Sequence, residues 1–134
     1  MTILFACTHN AGRSQIAAAF CRAYGHGRVQ AESAGTAPAG AVHPVVVEAM
    51  REKGIDLGSA IPRRLTEELA GQADVLVTMG CGDACPVVPG VRVVDWPLAD
   101  PKDQPLERVR LIRDDIEGRV LELLRELGVS AASG

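Results

Sequence analysis

The chain opens with a nearly continuous apolar run, residues 2–6, that passes at once into a polar loop and an alanine-rich segment. Such a run is typical of a strand buried on both faces of a parallel sheet. The apolar side chains of residues 14–24 fall on one stripe and predict a helix that packs on that sheet. The first 24 residues therefore predict the strand, loop and helix of an α/β unit.

The rest of the chain repeats this alternation of strands and helices. Further strands are predicted at residues 28–33, 73–79 and 91–96, and helices at residues 43–53, 66–70 and 106–127. Right-handed crossovers between such elements would give an α/β domain with a four-stranded parallel sheet flanked by helices on both faces. At 134 residues we expect a single domain over residues 1–134. Its ligand would bind beyond the carboxyl ends of the strands.

Composition excludes several classes of protein. The net charge of −3 and the lack of a dense Lys/Arg run argue against nucleic-acid binding. No apolar stretch approaches the roughly 20 residues of a membrane-crossing helix, and we expect neither membrane association nor a secretory signal. We therefore expect a cytoplasmic protein, whose four cysteines would be reactive or metal-binding thiols rather than disulfides.

One loop carries the strongest chemical signal, and we call residues 7–14 the anion loop. It reads Cys-Thr-His-Asn-Ala-Gly-Arg-Ser between a predicted strand and the first turn of a helix. Backbone N–H groups and the helix dipole at that position can wrap a tetrahedral anion, and Arg13 can present two donors to its oxygens. The same field favours a thiolate at Cys7, which Ser14 would stabilise by a hydrogen bond while Asn10 braces the loop. The alternative is a buried structural cysteine before an ordinary helix cap.

Two further features surround this loop in the predicted sheet. Asp100, before Pro101, follows the last strand and would protonate a departing oxygen as a general acid. Cys81 and Cys85 follow the third strand, where two thiols separated by three intervening residues can close a disulfide. A zinc site is the minor alternative for this pair, because no histidine has a matching spacing, and we predict no bound metal.

With the anion loop, Asp100-Pro101 and residues 80–86 in hand, the chain resembles the arsenate reductases that share the low-molecular-weight tyrosine phosphatase fold. The resemblance covers essentially the whole length. Gln15 after the Arg-Ser pair, the scarcity of aromatic residues and the Cys81/Cys85 pair favour the reductase branch over the phosphatase branch. A low-molecular-weight protein tyrosine phosphatase is the alternative enzyme, and a protein that holds As(III) without turnover is the alternative of another class.

The resemblance implies a role for each motif. Cys7 attacks arsenate, Asp100 acts as the general acid, and Cys81 and Cys85 pass the resulting disulfide to an external reductant. That reductant would be thioredoxin, or mycothiol or glutathione with a glutaredoxin-type protein, and no bound cofactor is needed. The residues that the resemblance assigns to oxyanion binding are Thr8, His9, Asn10, Ala11, Gly12, Arg13 and Ser14.

Overall fold

The sheet has four parallel strands, as the sequence predicts. The computed structural model describes residues 1–80 and 88–129. Within them the strand order is β2-β1-β3-β4, and each neighbouring pair runs parallel. The strands are β1 (Thr2–Cys7), β2 (Gln30–Gly35), β3 (Val75–Thr78) and β4 (Arg92–Asp95).

Helices cover both faces of this sheet, which confirms the predicted architecture. They are α1 (Arg13–Gly25), α2 (Pro44–Arg51), α3 (Glu67–Gly71) and α4 (Leu106–Glu126). The larger core cluster, on one face, contains side chains from α1, α2 and α4, for example Ile16, Val46 and Ile116. The smaller cluster, on the other face, contains Ala70 of α3 and Leu76. None of the helices in the described part of the chain is long and apolar enough to cross a membrane.

Strand β1 lies at the centre because its side chains are apolar on both faces. Ile3 and Phe5 belong to the larger cluster, whereas Leu4 and Ala6 belong to the smaller one, and each is at most 1% exposed. Successive side chains of a strand point to opposite faces of the sheet. An uninterrupted apolar run is therefore fully buried only when a hydrophobic core covers each face. The run therefore fixes β1 as an interior strand.

Element boundaries differ from the predicted ones by at most two residues. Strand β2 lies two residues further along than the predicted 28–33, because its pairing with β1 runs from Thr2↔Gln30 to Cys7↔Gly35. Strands β3 and β4 and helix α2 are each shorter than predicted, and α4 ends at Glu126. Pairing and packing, rather than the apolar pattern alone, set where each element ends.

The register brings four strand ends to one edge of the sheet. Cys7 pairs with Gly35, Ala6 with Thr78, and Thr78 in turn with Asp95. The loops that follow β1, β2, β3 and β4 consequently start side by side, at the carboxyl edge where ligands of parallel sheets bind.

Candidate active site

The anion loop spans the gap between β1, which ends at Cys7, and α1, which begins at Arg13. Its middle residue, Asn10, has a positive φ of 51°, a conformation that asparagine tolerates better than most residues. A sharp left-handed step in mid-loop lets the chain turn back over the helix start. The N–H groups of the first helical turn have no helical carbonyl partners there.

Residues 36–43 run beside the anion loop and occupy its carbonyl groups. The N–H groups of residues 36, 37, 39 and 43 donate to the carbonyls of residues 7, 8, 9 and 11, at 2.8–3.2 Å. In a trans peptide the N–H points opposite to the carbonyl, and the structure contains no cis peptide among its described residues. The N–H groups of residues 8, 9, 10 and 12 therefore point away from this segment, which leaves them available to an anion.

Cys7 is contacted by a hydroxyl whose proton direction can be worked out. Its Sγ lies 2.9 Å from Ser14 Oγ, and Asn10 Nδ2 donates to the same Oγ at 2.7 Å. Because the amide uses an acceptor site of Ser14, the single hydroxyl proton is left for the sulfur. Ser14 can therefore donate to Cys7, which is only 2% exposed, whenever the sulfur is deprotonated.

Arg13 is held by a backbone carbonyl and a carboxylate of the loop after β4, and it lies against Gly80. Its Nη1 donates to the carbonyl of Leu98 at 3.1 Å, and its Nη2 lies 3.6 Å from Asp100 Oδ2. Gly80 is so close that a Cβ there would stand 2.3 Å from Nη1. The guanidinium is 8% exposed, so its plane is fixed before any anion binds.

Asp100 is placed at the mouth of the site. Its side chain is 40% exposed, and Oδ1 accepts the N–H of Lys102 at 3.0 Å, which orients the carboxyl group. Pro101 packs over the anion loop, because a Cβ on Gly12 would come within 2.7 Å of Pro101 Cγ. The loop that carries Asp100 is therefore seated directly on the loop that carries Cys7.

Two histidines complete the rim. The rings of His9 and His43 meet edge to face with centroids 6.5 Å apart, and a Cβ on Gly12 would lie 3.6 Å from His43 Cδ2. Burial lowers the pKa of His43 below its ordinary value, while the neighbouring carboxyl of Asp100 acts in the opposite direction. Burial of this ring therefore favours the neutral imidazole.

The structure brings the anion loop, with Cys7 and Arg13, together with Asp100, as the sequence predicts. The catalytic roles of these residues remain predictions. Cys81 and Cys85 lie outside the described residues. Cys7 and Cys21 are free thiols, and burial raises the pKa of Cys21 to about 11. Residues 1–80 and 88–129 contain no cluster of three or more His, Cys, Asp or Glu side chains that could hold a metal ion.

Comparison with known families decides the kinship of this site. The family model described as low molecular weight phosphotyrosine protein phosphatase matches residues 2–132. The chain belongs to this family.

Several relatives of this chain are named arsenate reductases, although the family is described as a phosphatase family. A putative arsenate reductase of Halobacterium salinarum is 42% identical over 127 residues, which cover 91% of this chain and 89% of the relative. The glutaredoxin arsenate reductase of Synechocystis sp. is 31% identical over 128 residues, with 93% and 97% covered. Among solved structures, the thioredoxin-dependent arsenate reductase of Corynebacterium glutamicum superposes with a TM-score of 0.82 at 38% identity. That alignment covers 95% of this chain but 61% of the other.

Several contributors to this family site have no motif of their own in the sequence. The carbonyl of Leu98 is a backbone group, so no side chain announces it. In the sequence, Gly80 is recognisable only as the glycine that follows the predicted strand 73–79. In the structure its φ is +87°. Gln15 stands out in the sequence only as a mark of the reductase branch, yet it is 3% exposed and hydrogen-bonded to Asn10.

Proposed function

We propose that this protein reduces arsenate to arsenite in arsenic detoxification, with Cys7 as the nucleophile. The observation that carries the proposal is the hydrogen bond of 2.9 Å between Ser14 and the buried Cys7 sulfur, within a loop whose N–H groups and Arg13 can hold a tetrahedral oxyanion. Its relatives named arsenate reductase, at up to 42% identity, support that activity.

The proposed reaction begins with the thiolate of Cys7. The sulfur attacks arsenic in arsenate, the As–O bond to a hydroxyl group breaks, and Asp100 gives its proton to that hydroxyl, which leaves as water. Arg13 and the loop N–H groups neutralise the remaining oxygens of the adduct. Asp100 suits this role by position, because its carboxyl lies 3.6 Å from the Arg13 guanidinium that would bind the oxyanion and is 40% exposed, so solvent can resupply its proton.

The second half of the reaction transfers two electrons to arsenic. A further thiol attacks the Cys7 sulfur, a disulfide forms, and arsenic leaves with the electron pair of the S–As bond as arsenite. We assign this thiol to Cys81, with Cys85 passing the disulfide outward. The names of two relatives, one a glutaredoxin and one a thioredoxin-dependent arsenate reductase, support an external thiol reductant of this kind. Such a reductant fits a cytoplasmic location, which we also propose.

The aromatic residues argue against an aryl phosphate as the main substrate. All four lie among the described residues, and three of them, Phe5, Phe20 and Trp96, are at most 6% exposed. The fourth, Tyr24, stacks on Phe20 and donates its hydroxyl to Glu117 of α4. None is left at the rim to stack on a phenyl ring.

The test is an arsenate reduction assay with the thioredoxin system and, separately, with glutathione or mycothiol and a glutaredoxin. We expect turnover by the wild type and none above background for Cys7→Ser. Cys21→Ala is the matched control and should retain most of the rate, because Cys21 is a packing residue in α1. Hydrolysis of p-nitrophenyl phosphate at the rate of a good phosphatase, without thiol-dependent arsenate loss, would reverse the assignment.

Two further sets of variants assign the acid and the relay. Asp100→Asn should lower kcat by about 10²-fold or more, whereas Asp103→Asn should change it little. Asp103 is an apt control because it is exposed, belongs to the same loop and has a φ of 59°, which asparagine accepts. If Cys81→Ser and Cys85→Ser both keep the full rate, an external thiol resolves the adduct. Stoichiometric As(III) binding without turnover would instead indicate a binding protein.

A further inference from the structure

Gln15 is a buried polar residue that the proposed reaction does not use. It lies in the first turn of α1 and is 3% exposed. Its Nε2 donates to the backbone carbonyl of Asn10 at 3.1 Å and to Asn10 Oδ1 at 3.3 Å. The Gln15 amide thus donates hydrogen bonds to both the backbone and the side chain of Asn10.

The orientation of the Asn10 side chain is fixed by these contacts. The backbone N–H of Arg63 donates to Asn10 Oδ1 at 3.0 Å, and a backbone N–H can only donate. The Gln15 amide must present its nitrogen as well, because one of its two partners is a carbonyl oxygen. Two donors therefore converge on Oδ1, and the Asn10 amide nitrogen has to face Ser14.

This orientation decides where the hydroxyl proton of Ser14 points. Asn10 Nδ2 donates to Ser14 Oγ at 2.7 Å, so the hydroxyl accepts from Asn10 and keeps its own proton for Cys7 Sγ, 2.9 Å away, which accepts that proton when the sulfur is a thiolate. Reversing the Asn10 amide would present an oxygen to Ser14, attract the hydroxyl proton and take it from the sulfur. The direction of one amide is thus coupled to the stabilisation of the thiolate.

Gln15 also holds Asn10 in an unfavourable backbone conformation. With a φ of 51°, Asn10 occupies the left-handed region, which costs free energy for any residue with a side chain. The hydrogen bond from Gln15 to the Asn10 carbonyl opposes relaxation of Asn10 out of this left-handed conformation. All three side chains are nearly inaccessible to water, since Asn10 and Ser14 are 0% exposed, so water would not replace a lost bond readily.

We propose that Gln15 is a positioning residue for the nucleophile, which acts through Asn10 and Ser14 to favour the thiolate of Cys7. This proposal rests on the assignment of Cys7 as the nucleophile under the proposed function. Gln15 reaches the sulfur only through the two intermediate side chains. Its removal should therefore alter how Cys7 ionises more than how the oxyanion binds.

The test measures the rate of Cys7 alkylation by iodoacetamide against pH, in the wild type and in Gln15→Met. Quantifying the modified Cys7 peptide by mass spectrometry separates it from the other thiols. We expect the midpoint of the alkylation profile to rise in Gln15→Met by up to about one pH unit, which is the effect of losing the Ser14 hydrogen bond to the thiolate that Gln15 supports indirectly. Gln30→Met is the matched control, because Gln30 is exposed and donates through Nε2 to Glu32 Oε1 at 3.2 Å. It should leave the midpoint unchanged.

A double mutant separates positioning from general damage. In a Ser14→Ala background the path from Gln15 to the sulfur is cut, so adding Gln15→Met should shift the midpoint no further. An unchanged midpoint in Gln15→Met, or the same shift with and without Ser14, overturns the proposal. Arsenate turnover by the wild type is scored separately, so loss of the proposed function would not be mistaken for failure of this inference.

A measurement on the unmodified chain covers the case in which Gln15→Met does not fold. In NMR spectra of the ¹⁵N-labelled protein, the side-chain NH₂ protons of Gln15 should exchange with water much more slowly than those of Gln30. The Gln15 and Asn10 amide signals should also shift with the pH midpoint of Cys7 alkylation. Exchange as fast as that of Gln30, or signals insensitive to Cys7, would contradict the inference.

Discussion

Arg13 and Gly80 are in contact in a way that leaves no room for a side chain. A Cβ on Gly80 would lie 2.3 Å from Nη1 and 3.0 Å from Cζ of Arg13. The guanidinium cannot simply swing away, because the same Nη1 donates to the carbonyl of Leu98 and Nη2 lies beside Asp100. A methyl group at position 80 therefore has to displace the group that would bind the oxyanion.

Gly80→Ala is accordingly expected to lower kcat/KM for arsenate by at least about tenfold, through lost bidentate contact with Arg13. Gly90→Ala provides a close control, since Gly90 has a φ of +85° and a Cβ added there would have no neighbouring atom within 4 Å. Both variants should lose about 1 kcal/mol of stability from backbone strain. Only Gly80→Ala should lose oxyanion binding, and equal kinetic losses in both would argue that strain alone is responsible.

At this scale the sequence identifies side chains better than backbone partners. The spacing from Cys7 to Arg13 and Ser14 predicts which side chains meet, because the intervening loop is short and both flanking elements are strongly patterned. It does not predict that residues 36–43 occupy the loop's carbonyl groups. Those bonds depend on a non-local backbone approach, and any sequence can supply a backbone N–H except proline.

Helices α2 and α4 are joined by a charge cluster at the end of α2. Glu52, just after the last residue of α2, accepts hydrogen bonds from Arg110 at 2.6 Å and from Arg113 at 2.7 Å. Arg113 also donates to the carbonyl of Ala49 at 2.8 Å, which satisfies one of the last carbonyls of the helix. Hydrogen bonds from Arg110 and then Arg113 lower the pKa of Glu52 from 4.5 to about 2.

We expect Glu52→Gln to lower the urea midpoint at pH 7, because the buried Arg113 loses one of its two anionic partners and keeps only Asp114. The folded-state pKa of Glu52 lies below its unfolded value, so its contribution is complete above pH 4.5 and disappears as the pH falls towards 2. Wild type and Glu52→Gln should therefore converge in stability across that interval. Glu126→Gln is the control, since Glu126 meets Arg92 at 3.4 Å with both side chains at least half exposed. A gap that stays constant from pH 7 to pH 2 would contradict the assignment.

The apolar pattern predicts whether a segment is a helix or a strand, but it does not predict at which residue that helix or strand begins and ends. Helix α4 illustrates the first, because its apolar residues from Val109 to Leu123 recur every three or four positions and form the buried face in the structure. Strand β2 illustrates the second, since its two-residue displacement is set by its register with β1. A period of two or 3.6 residues specifies which face is buried but carries little information about where pairing begins.

Both cores share strand β1, which couples the two faces of the molecule. Trp96, the sole tryptophan, belongs to the larger core and packs against Phe5 of β1 with ring centroids 5.9 Å apart. Leu76, on β3, is 0% exposed in the smaller core on the opposite face. If the chain is the single cooperative domain that its length predicts, a substitution that destabilises one core must lower the unfolding midpoint of the other core as well.

Leu76→Ala tests this coupling at the scale of the whole molecule. The substitution should cost about 2–5 kcal/mol, as truncation of a buried leucine does elsewhere. Trp96 fluorescence and far-UV circular dichroism should report the same lowered midpoint, although Trp96 does not belong to the damaged core. Leu111→Ala is the control and should change either midpoint little, because Leu111 is 64% exposed. Separate transitions for the two probes would mean that the faces unfold independently, and the chain would then not behave as one cooperative domain.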